Sequence, residues 1–401
     1  MKVIVSQLNA RHRYAIPQLL FKNGMLERLY TNSSKYSFLG FISKILLGLG
    51  IKNGVTSRLS QRDPLIPKSY VFSSDLPQLK IILARNASPL EQNEIMYQSL
   101  NRKFIAEGFG LANCLYSMYF ENIEFVSHAK KSGLKIVIDI YENPDAFKSL
   151  IGEISEHNEY AIFSSLLKEF NGKALFREHY IDRMLELADQ YTLPSEFVKK
   201  SLYGYKNFDE SKVNIIPYPS SIQVNKYNYR PVKHKLIWIG NDPVRKGLIY
   251  CAKAANVLRK IYPDLEFNVI GSINEQIKHS DAFADLTFLG VMDKKGIIEE
   301  FETAEAYVFP TLFEGFAGTV IEAASCGCPV ITTENSGMNP KDFPGIFISE
   351  KNVENIVEAV ISIFENPNYR DKLSVDAYNY STTLSPKMYE RRLIDFFKNL
   401  E

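Results

Sequence analysis

Cysteine is scarce in this 401-residue chain, with only Cys114, Cys251, Cys326 and Cys328 present. Their spacing fits neither a disulfide framework nor a zinc site, so a reducing cytoplasmic setting is expected. Cys326-Gly-Cys328 stands at an expected helix end before a strand, which suits packing rather than metal binding. Long apolar runs are also missing. No uninterrupted stretch reaches the length needed to span a bilayer. The start, Met1-Lys-Val-Ile-Val-Ser6, reads as a strand and lacks the layout of a signal peptide. There is no low-complexity tract and no short-period repeat. The net charge is only +1, and no nucleic-acid partner is expected.

What is there is an ordinary globular composition, 45% apolar and 23% charged, in a chain long enough for two domains. Short β-type runs alternate with helical patterns. In the first half the expected strands are Lys2–Ser6, Ser69–Phe72, Lys80–Leu83, Cys114–Tyr116, Lys135–Ile140, Gln190–Leu193 and Val213–Ile216. In the second half they are Lys235–Ile239, Glu266–Ile270, Leu286–Leu289, Ala306–Phe309, Pro329–Thr332 and Gly345–Ile348. Such alternation predicts α/β structure with parallel sheets and helical crossovers. Residues 217–234 are rich in Pro, Ser and Asn and read as a linker. The expected units are 1–222, 223–385 and a tail helix at 386–401, with ligands bound outside the carboxyl ends of the strands.

Two stretches carry chemistry. Residues 309–331 place Glu314 on a glycine loop and Glu322 on the helix that should follow. Strand, glycine loop and helix start together offer backbone N–H groups and a positive dipole end to an anion. Carboxylates nearby would accept hydrogen bonds from a polyol. Together these describe a sugar nucleotide. Upstream, Leu236-Ile-Trp-Ile-Gly-Asn-Asp-Pro-Val-Arg-Lys-Gly247 sets Arg245 and Lys246 between a strand end and a helix start. Arg binds a diphosphate bidentately and Lys acts as a point charge. Both would stabilise charge on a leaving nucleoside diphosphate. A solvated charge pair on a surface turn is the plain reading of Arg-Lys alone; the order of the two motifs favours the anion site.

In these motifs the chain resembles the family 4 glycosyltransferases of the GT-B architecture. The matching pieces are Phe309-Pro-Thr-Leu-Phe-Glu-Gly-Phe316 with Glu322, Val330-Ile331, and Ile239-Gly240 through Arg245-Lys246-Gly247. Residues 186–350 follow the family in order and spacing, and the first 180 only in broad pattern. The resemblance implies two doubly wound Rossmann-like domains facing across a cleft, with the C-terminal helix crossing back to the first. It implies a retaining, metal-independent transfer of sugar from a nucleotide-sugar donor to an acceptor hydroxyl, with no tightly bound cofactor. Arg245 and Lys246 would hold the donor diphosphate, and with Glu314 form the catalytic set. Gly240, Asn241, Val291, Gly315, Phe316, Ala317, Gly318 and Thr319 would line the donor, and Glu322 would accept from its ribose. Side chains near Ser272–Ile273 and Val291–Asp293 would select the donor. The chain departs from the family at Asn241, where Arg is frequent. It has Tyr141-Glu-Asn143-Pro144 where a His is common, and Pro219-Ser-Ser221 where Gly-Val-Asp is usual.

The acceptor side is read from the first hundred residues, where 13 Lys/Arg stand against 5 Asp/Glu. Arg11, His12 and Arg13 follow the first strand and should line the cleft, with Asn143 as a further acceptor-side candidate. The arginines would suit phosphate or an acidic acceptor, and His12 would suit proton transfer. Phe38, Phe41, Ile42, Ile45, Leu46 and Leu49 form a helical face flanked by Lys35, Lys44, Lys52, Arg58 and Arg62. The plain reading is a helix packed on the first sheet. The sharper one is a surface touching an anionic membrane or a lipid-linked acceptor, hence a peripheral place at the inner face of the membrane. Glycan, lipid-linked and protein acceptors are all open, within synthesis of a cell-surface glycan or glycoconjugate. A catalytically inactive GT-B subunit that binds nucleotide or glycan is the alternative, followed by a GT-B epimerase or phosphorylase.

Overall fold

The computed structural model describes residues 1–51, 59, 62–77, 80, 89–222, 224 and 226–400. These form two sheets in which every paired strand is parallel. The first sheet contains β1 (Val3–Ser6), β2 (Leu26–Thr31), β3 (Val71–Ser73), β4 (Cys114–Met118), β5 (Lys135–Asp139), β6 (Gln190–Leu193) and β7 (Val213–Ile215), in the order β3-β2-β1-β4-β5-β6-β7. The second contains β8 (Lys235–Ile239), β9 (Glu266–Ile270), β10 (Thr287–Gly290), β11 (Ala306–Phe309), β12 (Val330–Thr332) and β13 (Ile346–Phe347), in the order β10-β9-β8-β11-β12-β13. The central strands β1, β4, β8 and β11 are buried along their whole length, as near-continuous apolar runs covered on both faces should be.

Strand order reverses between β1 and β4 in one sheet and between β8 and β11 in the other. At such a point the loops after neighbouring strands part in opposite directions and leave a crevice. The loops after β1, β8 and β11 carry Arg11–Arg13, Gly240–Gly247 and Pro310–Ala317, so topology alone brings the sequence motifs to the rims of these crevices.

The two sheets are joined by packing at several places. Leu150, Ile154 and Tyr160 precede β6 in the chain yet pack in one core with Leu236, Trp238 and Leu248 of the second sheet. The Tyr160 hydroxyl donates to the Pro243 carbonyl at 2.9 Å and accepts from the Ile249 N–H at 3.1 Å, clamping the turn that carries Arg245. The helix Pro386–Asn399 starts at a Ser385 cap with Pro in its first turn. Its Tyr389, Leu393 and Phe397 pack with Val3, Val5 and Tyr116 of the first sheet.

Three expectations need correction, and others fall outside the described residues. β2 is a strand that the sequence reading missed. Residues 68–70 form a short 3-10 turn before β3, so that strand begins two residues late. The expected strand at 80–83 lies outside the described residues apart from Lys80, which is helical. Lys52 and Arg58 also lie outside them. Finally, the helix Phe38–Gly48 forms as predicted but buries Gly40 and Ser43, leaving Phe38, Phe41, Ile45 and the adjoining Leu49 exposed. A Cβ at Gly40 would overlap the Ser34 carbonyl, so the bare backbone of that side is what allows the helix to seat this way round.

Candidate active site

The turn after β8 is built to present Arg245. Asp242 accepts from the Arg245 N–H at 3.0 Å and braces its guanidinium at 3.3 Å. Gly247 takes φ +67, and a Cβ there would overlap the Pro310 carbonyl, so the turn lies directly on the loop after β11. The Arg245 carbonyl accepts from the Leu312 N–H at 2.9 Å and from the Thr311 hydroxyl at 3.1 Å. The two sequence motifs are thus one structural unit. Arg245 Nη1 is ion-paired with Glu314 Oε1. Burial opposes the Arg245 charge, but Glu314 and then Asp242 outweigh it and raise its pKa.

Lys246 takes a different course from its neighbour. Its side chain runs under the turn, with Nζ 3.4 Å from the Ile239 carbonyl and 5.1 Å from the centre of the Phe309 ring. A Cβ at Gly240 would overlap Lys246 Cδ, so the glycine makes room for this chain. Burial lowers the Lys246 pKa, with Glu314 pulling the other way.

From the first sheet, the loop after β1 enters the same crevice in a left-handed turn. His12, Arg13 and Tyr14 have φ of 46°, 53° and 60°, a conformation that costs non-glycine residues energy. Hydrogen bonds hold it: Gln7 Nε2 to the Arg11 carbonyl at 2.9 Å, Gln18 Nε2 to the Arg13 carbonyl at 2.6 Å, and the Leu8 N–H to buried Glu121 at 2.8 Å. Arg11 lies over the Tyr141 ring, 3.3 Å from its centre, and reaches the Tyr218 hydroxyl at 3.4 Å. The His12 ring sits 4.4 Å from that of Tyr218. Loss of hydration within the cleft, and secondly the charge of Arg11, lower His12 to about 4. At the end of β5, burial raises Asp139 to about 6 against the pull of Arg11.

Arg11, His12, Tyr141, Glu142, Tyr218, Arg245, Glu314, Gly315 and Phe316 line a cavity of about 410 Å³ between the sheets. An adjoining cavity of about 530 Å³ includes His12, Arg13, Tyr218, Ser221, Lys294 and Glu322. The two share His12 and Tyr218 and form one groove. Glu322 accepts a hydrogen bond from the Ser221 hydroxyl, and Lys294 Nζ holds the Ser221 carbonyl at 3.0 Å. The helix Gly318–Ser325 starts directly after the loop whose Gly315 and Phe316 line the groove, and the Ala317 N–H is bonded to the Ser336 carbonyl at 2.8 Å. The Thr319 hydroxyl accepts from Tyr307 at 2.8 Å.

Other expected residues stand apart. Asn241 lines a third cavity with Asp242, Ser272 and Asn274, and its side chain accepts from the Ser272 N–H at 2.7 Å. Val291 is 76% exposed beyond β10 and lines none of these three cavities. Asn143 accepts from the Asp145 N–H at 2.9 Å, forming a turn before the helix Ala146–Glu156. The structure adds Tyr141, Glu142, Tyr218 and Ser221 to the site. Glu142 is held by Arg177 at 2.7 Å and Tyr119 at 3.2 Å. Its place at the end of β5 was the available signal, and Tyr218 was hidden in the apparent linker.

Residues 233–366 match the family described as glycosyl transferases group 1. The poly(glycerol-phosphate) alpha-glucosyltransferase of Bacillus subtilis is 26% identical over 170 residues, covering 39% of this chain and 24% of that protein. An Escherichia coli UDP-Gal:alpha-D-GlcNAc-diphosphoundecaprenol alpha-1,3-galactosyltransferase is 22% identical over 195 residues, 43% of this chain and 49% of that one. The chain therefore spans between a quarter and a half of the length of these two curated relatives. Among solved structures, sucrose-phosphate synthase from Thermosynechococcus elongatus superposes with a TM-score of 0.64 at 13% identity, covering 100% of this chain and 99% of that one. WaaG, a glycosyltransferase involved in lipopolysaccharide biosynthesis, gives 0.62 at 13% identity, covering 98% and 99%. The second sheet and its helices accordingly match the group 1 glycosyl transferases, and the chain as a whole has the GT-B fold.

Proposed function

We propose that this protein is a retaining glycosyltransferase that moves a sugar from a nucleotide-sugar donor to a hydroxyl of a glycan-type acceptor. One observation carries the reading: Arg245, Glu314 and Glu322, from two loops and the helix Gly318–Ser325 of the region that matches the group 1 glycosyl transferases, line one groove, with Lys246 beneath the turn that carries Arg245. The donor diphosphate would lie against Arg245 and the start of the helix Gly318–Ser325, where positive charge favours it. Glu314 is ion-paired with Arg245. A diphosphate would take over the guanidinium and leave the Glu314 carboxylate to accept from sugar hydroxyls. Glu322 would exchange its Ser221 contact for a ribose hydroxyl. As the glycosidic bond breaks, Arg245 faces the charge growing on the departing diphosphate, and the Lys246 ammonium adds to the field from below. Arg11 and Glu142, on the opposite wall, are the acceptor-facing pair.

The acceptor would be a glycan or glycoconjugate, in keeping with relatives that act on poly(glycerol-phosphate) and on a diphosphoundecaprenol-linked sugar. No helix among the described residues is long and apolar enough to cross a membrane. Thermal unfolding against a panel of nucleoside diphosphates and nucleotide sugars tests the donor site. A ligand at about 100 times its Kd adds roughly 2.7 kcal/mol to stability and raises the melting temperature. That rise should appear in the native protein and shrink to half or less in Arg245→Ala. The reading fails where no nucleotide shifts the native protein.

A further inference from the structure

The helix Phe38–Gly48 presents its large apolar side chains to water. Phe38 is 68% exposed, Phe41 60%, Ile45 47% and the following Leu49 71%. Their spacing of three, four and four residues puts them on one stripe of the helix. The opposite side is anchored: Ser37 caps the helix, Gly40 and Ser43 are buried, and Asp75 accepts from Ser37 Oγ and the Leu39 N–H at 2.8 Å each. The stripe therefore belongs to a seated helix. A contiguous row of large apolar residues on a protein surface marks a contact site.

The surrounding charge selects the partner. Among the described residues between 31 and 80 there are five Lys/Arg and two Asp/Glu. Both acids are engaged, Asp63 with Lys35 at 2.6 Å and Asp75 at the helix start, and Lys44, Lys68 and Lys80 stand exposed. The helix itself carries Lys44 and no acidic residue. We infer that this face docks on an anionic lipid bilayer, with Phe38, Phe41, Ile45 and Leu49 entering the headgroup boundary and Lys44 meeting lipid phosphates. Pairing with a second copy of the same face would bring like charges together. The placement has a consequence for the cleft. The helix follows β2, and Asn32 just after β2 accepts from the Asn9 N–H at 3.0 Å in the loop that leads to Arg11. Docking would set the acceptor-facing rim of the groove close to the lipid surface.

The test reads binding, so it stands whether or not the protein transfers sugar. The full chain is floated with phosphatidylglycerol vesicles at low salt, with phosphatidylcholine vesicles as the neutral control. The native protein should float with the anionic vesicles. The triple variant Phe41→Ser, Ile45→Ser, Leu49→Ser should bind about tenfold less or weaker. Lys44→Glu should weaken binding at low salt and make it less salt-sensitive. All four positions are exposed, and circular dichroism should show the native fold in each variant. The inference is overturned if the native protein stays unbound on pure phosphatidylglycerol, if both variants float as well as it does, or if sedimentation shows a dimer that the triple variant abolishes.

Discussion

Arg245 and Glu314 form an ion pair across the two loops that face the groove, and the Arg245 carbonyl is bonded to the backbone and hydroxyl of the same Pro310–Glu314 loop. The two loops are therefore tied together at the backbone, and the ion pair links their side chains. A bound diphosphate should therefore act on both. Arg245→Ala should weaken nucleoside diphosphate binding by about 1.5–3 kcal/mol, the range for a lost charge-assisted contact, measured by titration calorimetry. The melting temperature without nucleotide should also fall, since the Arg245 and Glu314 side chains are only 24% and 17% exposed and the variant leaves Glu314 without its partner.

Gly240 tests Lys246 without altering its charge. A methyl at Gly240 would overlap Lys246 Cδ and press on Trp238, so Gly240→Ala should displace the lysine and disturb the turn. Overpacking of this kind costs about 1–3 kcal/mol. Chemical denaturation should show that loss, together with weakened donor binding. Normal binding in Gly240→Ala would show that the position of Lys246 is immaterial.

Gly315 joins the sheets. Its carbonyl accepts from Ser195 Oγ at 2.6 Å, and a Cβ there would overlap the Tyr141 carbonyl across the cleft. Gly315→Ala should push the walls of the groove apart. The expected result is a drop in turnover of tenfold or more, on the order of the misplacement effects that follow from small shifts in a site. Small-angle scattering should show a slightly more open particle.

Glu121 gives stability a pH dependence. Burial raises its carboxyl from 4.5 to about 8, with the Leu8 N–H acting in the opposite sense. Across that interval the folded state holds more protons than the unfolded state, so this group makes stability fall as pH rises, and the loss is complete above about 8. Glu121→Gln can keep the contact with Leu8 while removing the ionisation. Its melting temperature should match the native protein near pH 4.5 and exceed it above pH 8. A constant difference between the two proteins across that range would contradict the assignment.

Much of the proposed donor side was legible because its motifs are local. Strand, glycine turn and helix start are contiguous in sequence, so Arg245, Glu314 and Glu322 could be placed from one string each. The first sheet was harder. β2 was missed because Glu27 and Arg28 interrupt its apolar pattern; in the fold Glu27 accepts from the Leu111 N–H and Arg28 pairs with Glu107. Periodicity identified the helix at 38–48 but gave no direction for its apolar face, which the close seat of Gly40 decides. Glu142 and Tyr218 come from segments about 75 residues apart, and only the tertiary fold brings them to one cavity. Asn241 has the right sequence position but spends its side chain on Ser272.

The central claim is that the groove at Arg245 and Glu314 binds and breaks down a nucleotide sugar. Release of nucleoside diphosphate from a panel of nucleotide sugars should be followed with the native protein, Glu314→Ala and Lys246→Ala. The account predicts release from at least one donor, reduced roughly 100-fold or more in each variant, as when a group facing developing charge is removed. Equal release by all three proteins, or none by the native protein with any donor and acceptor, would contradict it.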